Sequence, residues 1–297
     1  MRVNKKICLV LGLLGAGSAW GYDSNDDRDL FKQRESEAYA ARGIRLNAFK
    51  LSPVFDIAEE YNSNVFYRDK AIPGAVKYDY VTHYKPSMAI NSDWSRHALN
   101  LNFDSDLANY ATWSKQADYQ DLRSGAAGRL DFTRDSVLSG RVGYSQLHVL
   151  NQQFSTGPNL YTSFNYNADY RYVFNRVTFK TEFDGVRLDY EESKSGFNMK
   201  SYSRSEYLPS IRFGYLIQPE YEAFFKILAK QIVYDPIDVA TSANSFALNR
   251  NSKGYNALAG LAFDLTELIT GDFSVGYISR SYEQTGFKNI SGINGFF

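Results

Sequence analysis

The sequence is poor in the residues that most often bind metals or act as nucleophiles. Its 297 residues include one cysteine, Cys8, and three histidines, His83, His97 and His148. Cys8 lies at the head of an apolar run instead of after it, so it cannot be the lipid-acceptor cysteine of a lipoprotein. The rest of the chain has no cysteine, which excludes disulfides, thiol nucleophiles and thiolate metal sites there.

Long hydrophobic runs are also missing. The run Ile7–Leu14 follows a basic start and ends in the small residues 15–19. A membrane-spanning helix needs about 20 apolar residues, so this segment is too short to span. The order of basic, apolar and small residues predicts a secretory signal peptide over residues 1–21, and cleavage after Ala19 or after Gly21 fits equally well.

No excess of basic charge is present. The chain has 33 basic and 33 acidic residues, and loss of the signal peptide leaves 30 basic residues against the same 33 acidic ones. A nucleic-acid partner is therefore not expected. Aromatic residues, in contrast, are abundant, with 23 Tyr and 21 Phe. Membrane barrels interleave aromatic with polar residues and concentrate them near both membrane surfaces.

Apolar and polar residues alternate from Leu46 onward, which is the period of a β-strand with two different faces. The clearest run alternates Thr162, Phe164, Tyr166, Ala168, Tyr170, Tyr172 and Phe174 with Ser163, Asn165, Asn167, Asp169 and Arg171. Globular strands usually have five or six residues, whereas a tilted membrane strand needs roughly 9 to 11. The pattern therefore predicts an all-β, antiparallel, up-and-down transmembrane barrel.

Charged residues at every second position of these strands cannot face lipid, because a basic side chain at the bilayer midplane costs on the order of 2 to 4 kcal/mol. We expect them to line a lumen. The candidates are Asp104, Asp169, Arg171, Lys180, Glu182, Arg212, Glu222, Lys226 and Lys230. Their signs are mixed, and no run of a single sign is visible. Two interpretations stay open: the charges set the selectivity of a solute pathway, or they pair across strands and fill the interior.

Short and long connections alternate along the chain. Tight turns are predicted at 92–95, 133–136, 175, 218–220 and 266–271. Longer polar stretches are predicted at 64–78, 109–121, 149–161, 191–203 and 235–254. Short periplasmic turns and long outer loops are typical of a membrane barrel.

The predicted barrel extends over residues 43–297, after a periplasmic N-terminal arm at 22–42. We count about eleven strands, the last at 272–283. The Gly-rich tail 284–297 could form a weak twelfth strand that closes the barrel. The alternative is that the chain stops early relative to a larger barrel.

Several turn and strand-end segments carry a family resemblance. They are Arg42-Gly43-Ile44-Arg45, Ser92 to Leu101, Leu130 to Asp135, Gly254-Tyr255 and Gly260 to Thr266. They resemble the putative beta-barrel porin type 2 family over about residues 42–292. The resemblance implies an outer-membrane barrel from a family often encoded among exopolysaccharide genes and thought to form pores or assist export. Members look longer at the C-terminal end, which favours the truncated alternative.

The sequence predicts no enzyme, cofactor or metal site. The three histidines have no metal-ligand spacing. A Ser95–His97 hydrolase pair would lie at a periplasmic turn, far from outer-leaflet lipids. The paired carboxylates Glu59-Glu60 and Glu191-Glu192 point to opposite faces of a strand, so neither pair can flank one bond.

The tyrosines and tryptophan near the loops have two interpretations. Tyr110, Trp113, Tyr119 and Tyr161 could stack on sugar rings, although an aromatic girdle at the membrane surface fits them as well or better. The first expectation for function is a porin-like channel, linked to exopolysaccharide export. The alternatives are a filled structural or surface-interaction barrel and, more weakly, an outer-membrane enzyme.

The expected partners follow from the barrel prediction. They are outer-membrane lipids, the barrel-assembly machinery and periplasmic chaperones during biogenesis, and a polysaccharide or small hydrophilic solutes.

Overall fold

The computed structural model describes residues 43–66, 68, 72, 74, 76–150, 158–191, 199–236, 249–266, 269–284 and 286–296. The predicted signal peptide and the predicted periplasmic arm lie outside these residues. Within the described part of the chain, no helix is long and apolar enough to cross a membrane.

Thirteen β-strands and two short helical turns make up the described structure. The strands are β1 (Ile44–Leu46), β2 (Phe49–Asn62), β3 (Asp79–Ser92), β4 (Ala98–Tyr110), β5 (Tyr119–Thr133), β6 (Ser136–Leu150), β7 (Pro158–Phe174), β8 (Val177–Tyr190), β9 (Arg204–Gln218), β10 (Tyr221–Tyr234), β11 (Ser252–Thr266), β12 (Ile269–Tyr282) and β13 (Ile290–Phe296). Helix α1 (Ser114–Ala117) precedes β5, and a 3-10 helix (Met199–Tyr202) precedes β9.

The strands form one sheet in which each strand pairs antiparallel with the next strand of the chain. The prediction of an all-β, antiparallel, up-and-down fold is confirmed. Strands β2 to β12 are the eleven long strands expected from the alternation, and the tail predicted as a weak strand is β13, which pairs with β12. Among the described residues, no pairing joins β13 to β1 or β2.

The two ends of the sheet have different connections, as the sequence predicted. At one end, here called the turn end, β5 and β6 are joined by residues 134–135 and β7 and β8 by residues 175–176. Asn175 has φ of 54°, a left-handed conformation that asparagine tolerates better than most residues. At the opposite end, here called the loop end, the connections include 63–78, 191–203 and 235–251.

The two faces of the sheet differ in both chemistry and burial. On β10, Phe225 and Ile227 are 45% and 47% exposed, while Lys226 between them is 3% exposed. Successive strand residues point to opposite faces, so the apolar side chains lie on one face and the lysine on the other. We call these the apolar face and the polar face. On β10 the apolar face is exposed and the polar face is covered, the reverse of a soluble sheet.

The polar face as candidate functional site

All nine charged residues predicted to line a lumen lie on the polar face. Strand register shows this, because residues directly opposite each other point to the same side. Asp104 on β4 opposes Arg123 on β5, which in turn opposes Ser145 on β6. Ser145 opposes Ser163 on β7, the strand of Asp169. The register continues through β8 and β9 to β10.

Ion pairs connect the charges of β8, β9 and β10. A guanidinium nitrogen of Arg212 lies 2.7 Å from Oε1 of Glu222. Lys226 Nζ lies 3.9 Å from Oε2 of Glu182, which also accepts a hydrogen bond from the Ser210 hydroxyl at 3.4 Å. These ion pairs lie in a partly dehydrated environment, where an unpaired charge would be costly in free energy. Pairing offsets that cost.

Further pairs extend this network toward the loop end. Glu206 accepts from Arg204 Nε at 2.7 Å and lies 3.2 Å from Lys230 Nζ. On β5, Arg123 lies 3.3 Å from Asp104. Arg204 and Glu206 were not among the predicted residues, although they have the same alternation as Arg212. The alternation of β9 was sufficient to find them.

Four basic residues form one row across the polar face. Arg171 on β7 directly opposes Lys180 on β8, and Lys180 opposes Arg212 on β9. Arg212 in turn opposes Lys226 on β10. We call these four residues the basic row. Along the sequence the signs are mixed, as expected, but across the strands these four residues form a run of a single sign.

An acidic pair lies beside the basic row, toward the loop end. Asp169 on β7 directly opposes Glu182 on β8, two residues along each strand from Arg171 and Lys180. The charges of the polar face are thus arranged in levels of opposite sign. This arrangement explains how Glu182 reaches Lys226 diagonally across β9.

Two histidines that are distant in sequence lie near one tyrosine at the loop end of the polar face. His83 Nδ1 lies 2.8 Å from an oxygen of Asp106, and His148 Nδ1 lies 2.8 Å from an oxygen of Asp121. The His148 ring stacks on Tyr119 with centroids 3.6 Å apart, and the His83 ring meets the same tyrosine edge-on at 6.4 Å. Across the described residues, no three His, Asp or Glu side chains are placed to hold a metal ion.

The other enzyme-like features have structural partners. His97 Nδ1 accepts a hydrogen bond from the backbone N–H of Asp131 at 3.2 Å, which ties the 93–97 turn to β5. Glu59 accepts from the Thr82 hydroxyl at 2.7 Å, whereas Glu60 faces His83 at 3.5 Å on the other side of β2. The two adjacent carboxylates therefore point to opposite faces, as predicted.

Tyrosines line the loop end of the polar face. They are the last residues of β4, β8, β10 and β12, namely Tyr110, Tyr190, Tyr234 and Tyr282. Tyr161 stacks on Tyr190 with centroids 5.2 Å apart. The aromatic-girdle interpretation is therefore wrong for Tyr110, Tyr119 and Tyr161, because a girdle requires the apolar face and register places them on the polar face.

Loop residues cover part of this end of the polar face. Val65 from the 63–78 connection and Ala117 from α1 pack with Val81, Ala108 and Tyr110 into a small apolar cluster. Phe66 and Trp113 pack against that cluster, with their ring centroids 5.5 Å apart.

A buried carboxylate anchors one of these loops. Asp79, 2% exposed, accepts hydrogen bonds from the backbone N–H groups of Thr112 and Trp113 at 2.8 and 2.9 Å. Trp113 is thereby held against the cluster. The sequence placed it in a loop, and its packing there depends on the position of Asp79, 34 residues earlier.

One ion pair joins the loop end of β8 to the residue that follows β10. Arg187 donates to both carboxylate oxygens of Asp235, at 2.7 and 2.6 Å. Hydrogen bonding from this guanidinium lowers the pKa of Asp235 below its ordinary value. Register places Arg187 on the apolar face, three residues from the end of β8.

Comparison with known proteins gives one family. The profile of the family described as "Putative beta-barrel porin 2" matches residues 37–295. The match covers all thirteen strands except the last residue of β13. Neither the search of curated proteins nor the search of solved structures found a match.

Proposed function

The chain belongs to the "Putative beta-barrel porin 2" family, and on that premise we propose that it is a passive pore of the bacterial outer membrane. In this proposal the apolar face contacts lipid, the polar face lines a water-filled lumen, and the loop end faces outward. The protein is a conduit and not an enzyme.

The observation that carries the proposal is the reversed burial of the sheet. Lys226 is 3% exposed and Asn256 is 0% exposed on the polar face, whereas Phe213 on the apolar face is 52% exposed. Apolar surface left uncovered on this scale would make a soluble protein aggregate. In a bilayer, the same surface is solvated by lipid chains, and the charged face is kept away from them.

The pairing of the wall charges supports a weakly selective pore. Arg212 pairs with Glu222, and Lys226 pairs with Glu182, so these two pairs add little net charge to the wall. Small hydrophilic solutes are the expected cargo. We expect removal of one acid, in the variant Glu222→Gln, to shift the ion preference of the pore toward anions.

A saccharide is the second candidate solute. The tyrosines at the loop end of the polar face supply flat aromatic surfaces with polar edges, a chemistry that suits sugar rings. Export of an exopolysaccharide would use these surfaces at the outer mouth. In that case we expect a neutral oligosaccharide to reduce the conductance of the wild type, and Tyr190→Leu to weaken that block.

The apolar cluster at the loop end favours a different alternative, a barrel with a filled interior. Val65 and Trp113 come from loops and cover the polar-face residues Val81 and Ala108. If this covering continues across the lumen, the protein is structural and its outer loops carry the function.

Conductance separates these possibilities. Protein extracted from outer membranes is first compared on a gel before and after boiling, since a change in mobility shows a closed, stable barrel. Barrel-forming protein is then inserted in planar lipid bilayers. Discrete conductance steps support the pore. The pore is contradicted if the protein shifts on the gel but gives no conductance. The same must hold for the variant Trp113→Gly, Val65→Gly, in which the apolar cluster is opened.

A further inference from the structure

The basic row has an energetic cost that the fold alone does not explain. Residues directly opposite on neighbouring antiparallel strands have Cβ atoms about 4.5 to 5.5 Å apart, and like charges in that position are destabilising. The row contains three such contacts in succession, Arg171 with Lys180, Lys180 with Arg212, and Arg212 with Lys226. A feature that breaks a local rule repeatedly often marks a functional site.

Arg212, at the third position of the row, has an unused hydrogen-bond donor. Its Nη2 donates to Glu222 at 2.7 Å, but its Nε is buried and has no partner among the described residues. Phe224 covers the guanidinium plane, with the Arg212 Cζ 4.1 Å from the ring centroid. The stacked ring fixes the orientation of the plane, so the free N–H has a defined direction.

Arg171, at the first position of the row, is exposed on the polar face. It has no ion pair within the described part of the chain. The row therefore combines a fixed, largely covered guanidinium with an accessible one two strands away. A cation pair with spare donors is the arrangement by which proteins hold a group with several anionic oxygens.

We propose that the basic row is a binding site for oxyanions, meaning phosphate, sulfate or carboxylate groups of a solute. The bound anion contacts the accessible guanidinium of Arg171, and its charge relieves the repulsion along the row, including that at the buried Nε–H of Arg212. The acidic residues Glu182 and Glu222 hold the row together when no anion is present. This inference rests on the proposed function, because the anion reaches the row only if the polar face is accessible to water.

The row lies nearer the turn end than the loop end. Arg171 is three residues from the end of β7, and Lys180 is three residues from the start of β8. It is therefore separate from the tyrosines at the loop end. An anion that binds here would narrow the pathway at its inner part, so binding and conductance are linked but separately measurable.

The test measures anion binding without requiring a current. Full-length mature protein, refolded in detergent, is unfolded with urea in inorganic phosphate or in chloride at equal ionic strength. A ligand that binds only the folded state raises the midpoint with its concentration. We expect phosphate to raise it, and Arg171→Gln combined with Lys180→Gln to weaken the apparent phosphate affinity on the order of tenfold. The control is Arg123→Gln, a half-exposed basic residue of the polar face outside the row.

Three results would overturn the site. One is equal midpoints in phosphate and chloride for the wild type. The second is an unchanged phosphate effect in the double variant, and the third is an equal loss in Arg123→Gln, which would show that any surface cation serves. A phosphate effect that depends on the row, in a protein that does not conduct, would support the anion site and contradict the pore. Conductance without a phosphate effect would support the pore and contradict the anion site.

Discussion

The two faces of strand β10 share one backbone, but their side chains lie in opposite environments. Phe225 and Ile227 project from one face and are about half exposed, while Lys226 projects from the other and is buried. A soluble sheet with this sequence would place the lysine in water and the aromatic ring in the core. The burial of β10 is therefore the reverse of that in a soluble sheet. In the proposed pore, the apolar face contacts lipid and the polar face lines an aqueous interior.

A charge placed on the apolar face should cause the largest loss of stability. Ile227 lies near the middle of β10, opposite Ile211 on one side and Ala257 on the other. We expect Ile227→Arg to lower the free energy of unfolding in lipid vesicles by about 2 to 4 kcal/mol. Urea titration of refolded protein measures the loss.

The matched control places the same charge on the other face. Asn102 lies on the polar face of β4, opposite Gly125. Asn102→Arg should change the free energy of unfolding by less than about 1 kcal/mol, since an arginine there remains in contact with water. Equal losses in the two variants would contradict the assignment of lipid and water to the two faces.

Removing the acid beside Lys226 should have the next largest effect. Glu182→Gln removes one ionic partner, at 3.9 Å, of the 3%-exposed lysine, and we expect a loss of about 1 to 3 kcal/mol. The double variant Glu182→Gln, Lys226→Met removes both charges and should recover much of that loss. Additive losses in the double-mutant cycle would show that the two side chains do not interact.

Removing a tyrosine contact at the loop end of the polar face should have a smaller effect on stability. Tyr161 and Tyr190 stack with an angle of 17° between their rings. Tyr161→Leu keeps a large apolar side chain but removes the ring contact, so we expect a loss of about 0.5 to 1.5 kcal/mol. Tyr144→Leu on the apolar face of β6 is the control. A larger loss of stability in Tyr144→Leu would show that aromatic rings on the apolar face contribute more than the Tyr161–Tyr190 contact.

The smallest expected effect is the pH dependence of the Arg187–Asp235 pair. Because the pKa of Asp235 is lowered in the folded state, its contribution is present above the unfolded pKa of about 3.9 and is lost as pH falls through the lower folded value. Its side chain is 39% exposed, so solvent screening limits the contribution to less than about 1 kcal/mol. Asp235→Asn should flatten the stability profile below about pH 4. An unchanged profile would show that the pair contributes nothing.

The strands and turns could be predicted from sequence because they depend on local chemistry. Alternation over residues 162–174 located β7, and Asn175 marked the turn that ends it. The same alternation placed all nine charged candidates on one face, since side-chain direction in a strand follows odd and even numbering. The weak strand β13 was harder to recognise because its glycines leave few apolar residues on either face.

Neighbour relations across strands could not be predicted, because they depend on register. The basic row collects one residue from each of four strands, and a shift of one strand by two residues would disperse it without changing the alternation. The histidines illustrate the same limit. His83 and His148 are far apart in sequence, yet both contact Tyr119. Linear spacing contains no signal for such a contact.

The strictly sequential pairing of the sheet has a consequence for how the protein is built. Every strand from β2 to β12 finds its partners immediately before and after it in the chain, so each step of assembly closes only a short or moderate loop. The entropy cost of such closures grows slowly with loop length, and local contacts favour fast folding. The sheet can therefore grow one hairpin at a time, with the newest strand serving as the template for the next. At each stage the sheet has two unpaired edges, and only the one at the newest strand moves as the sheet grows.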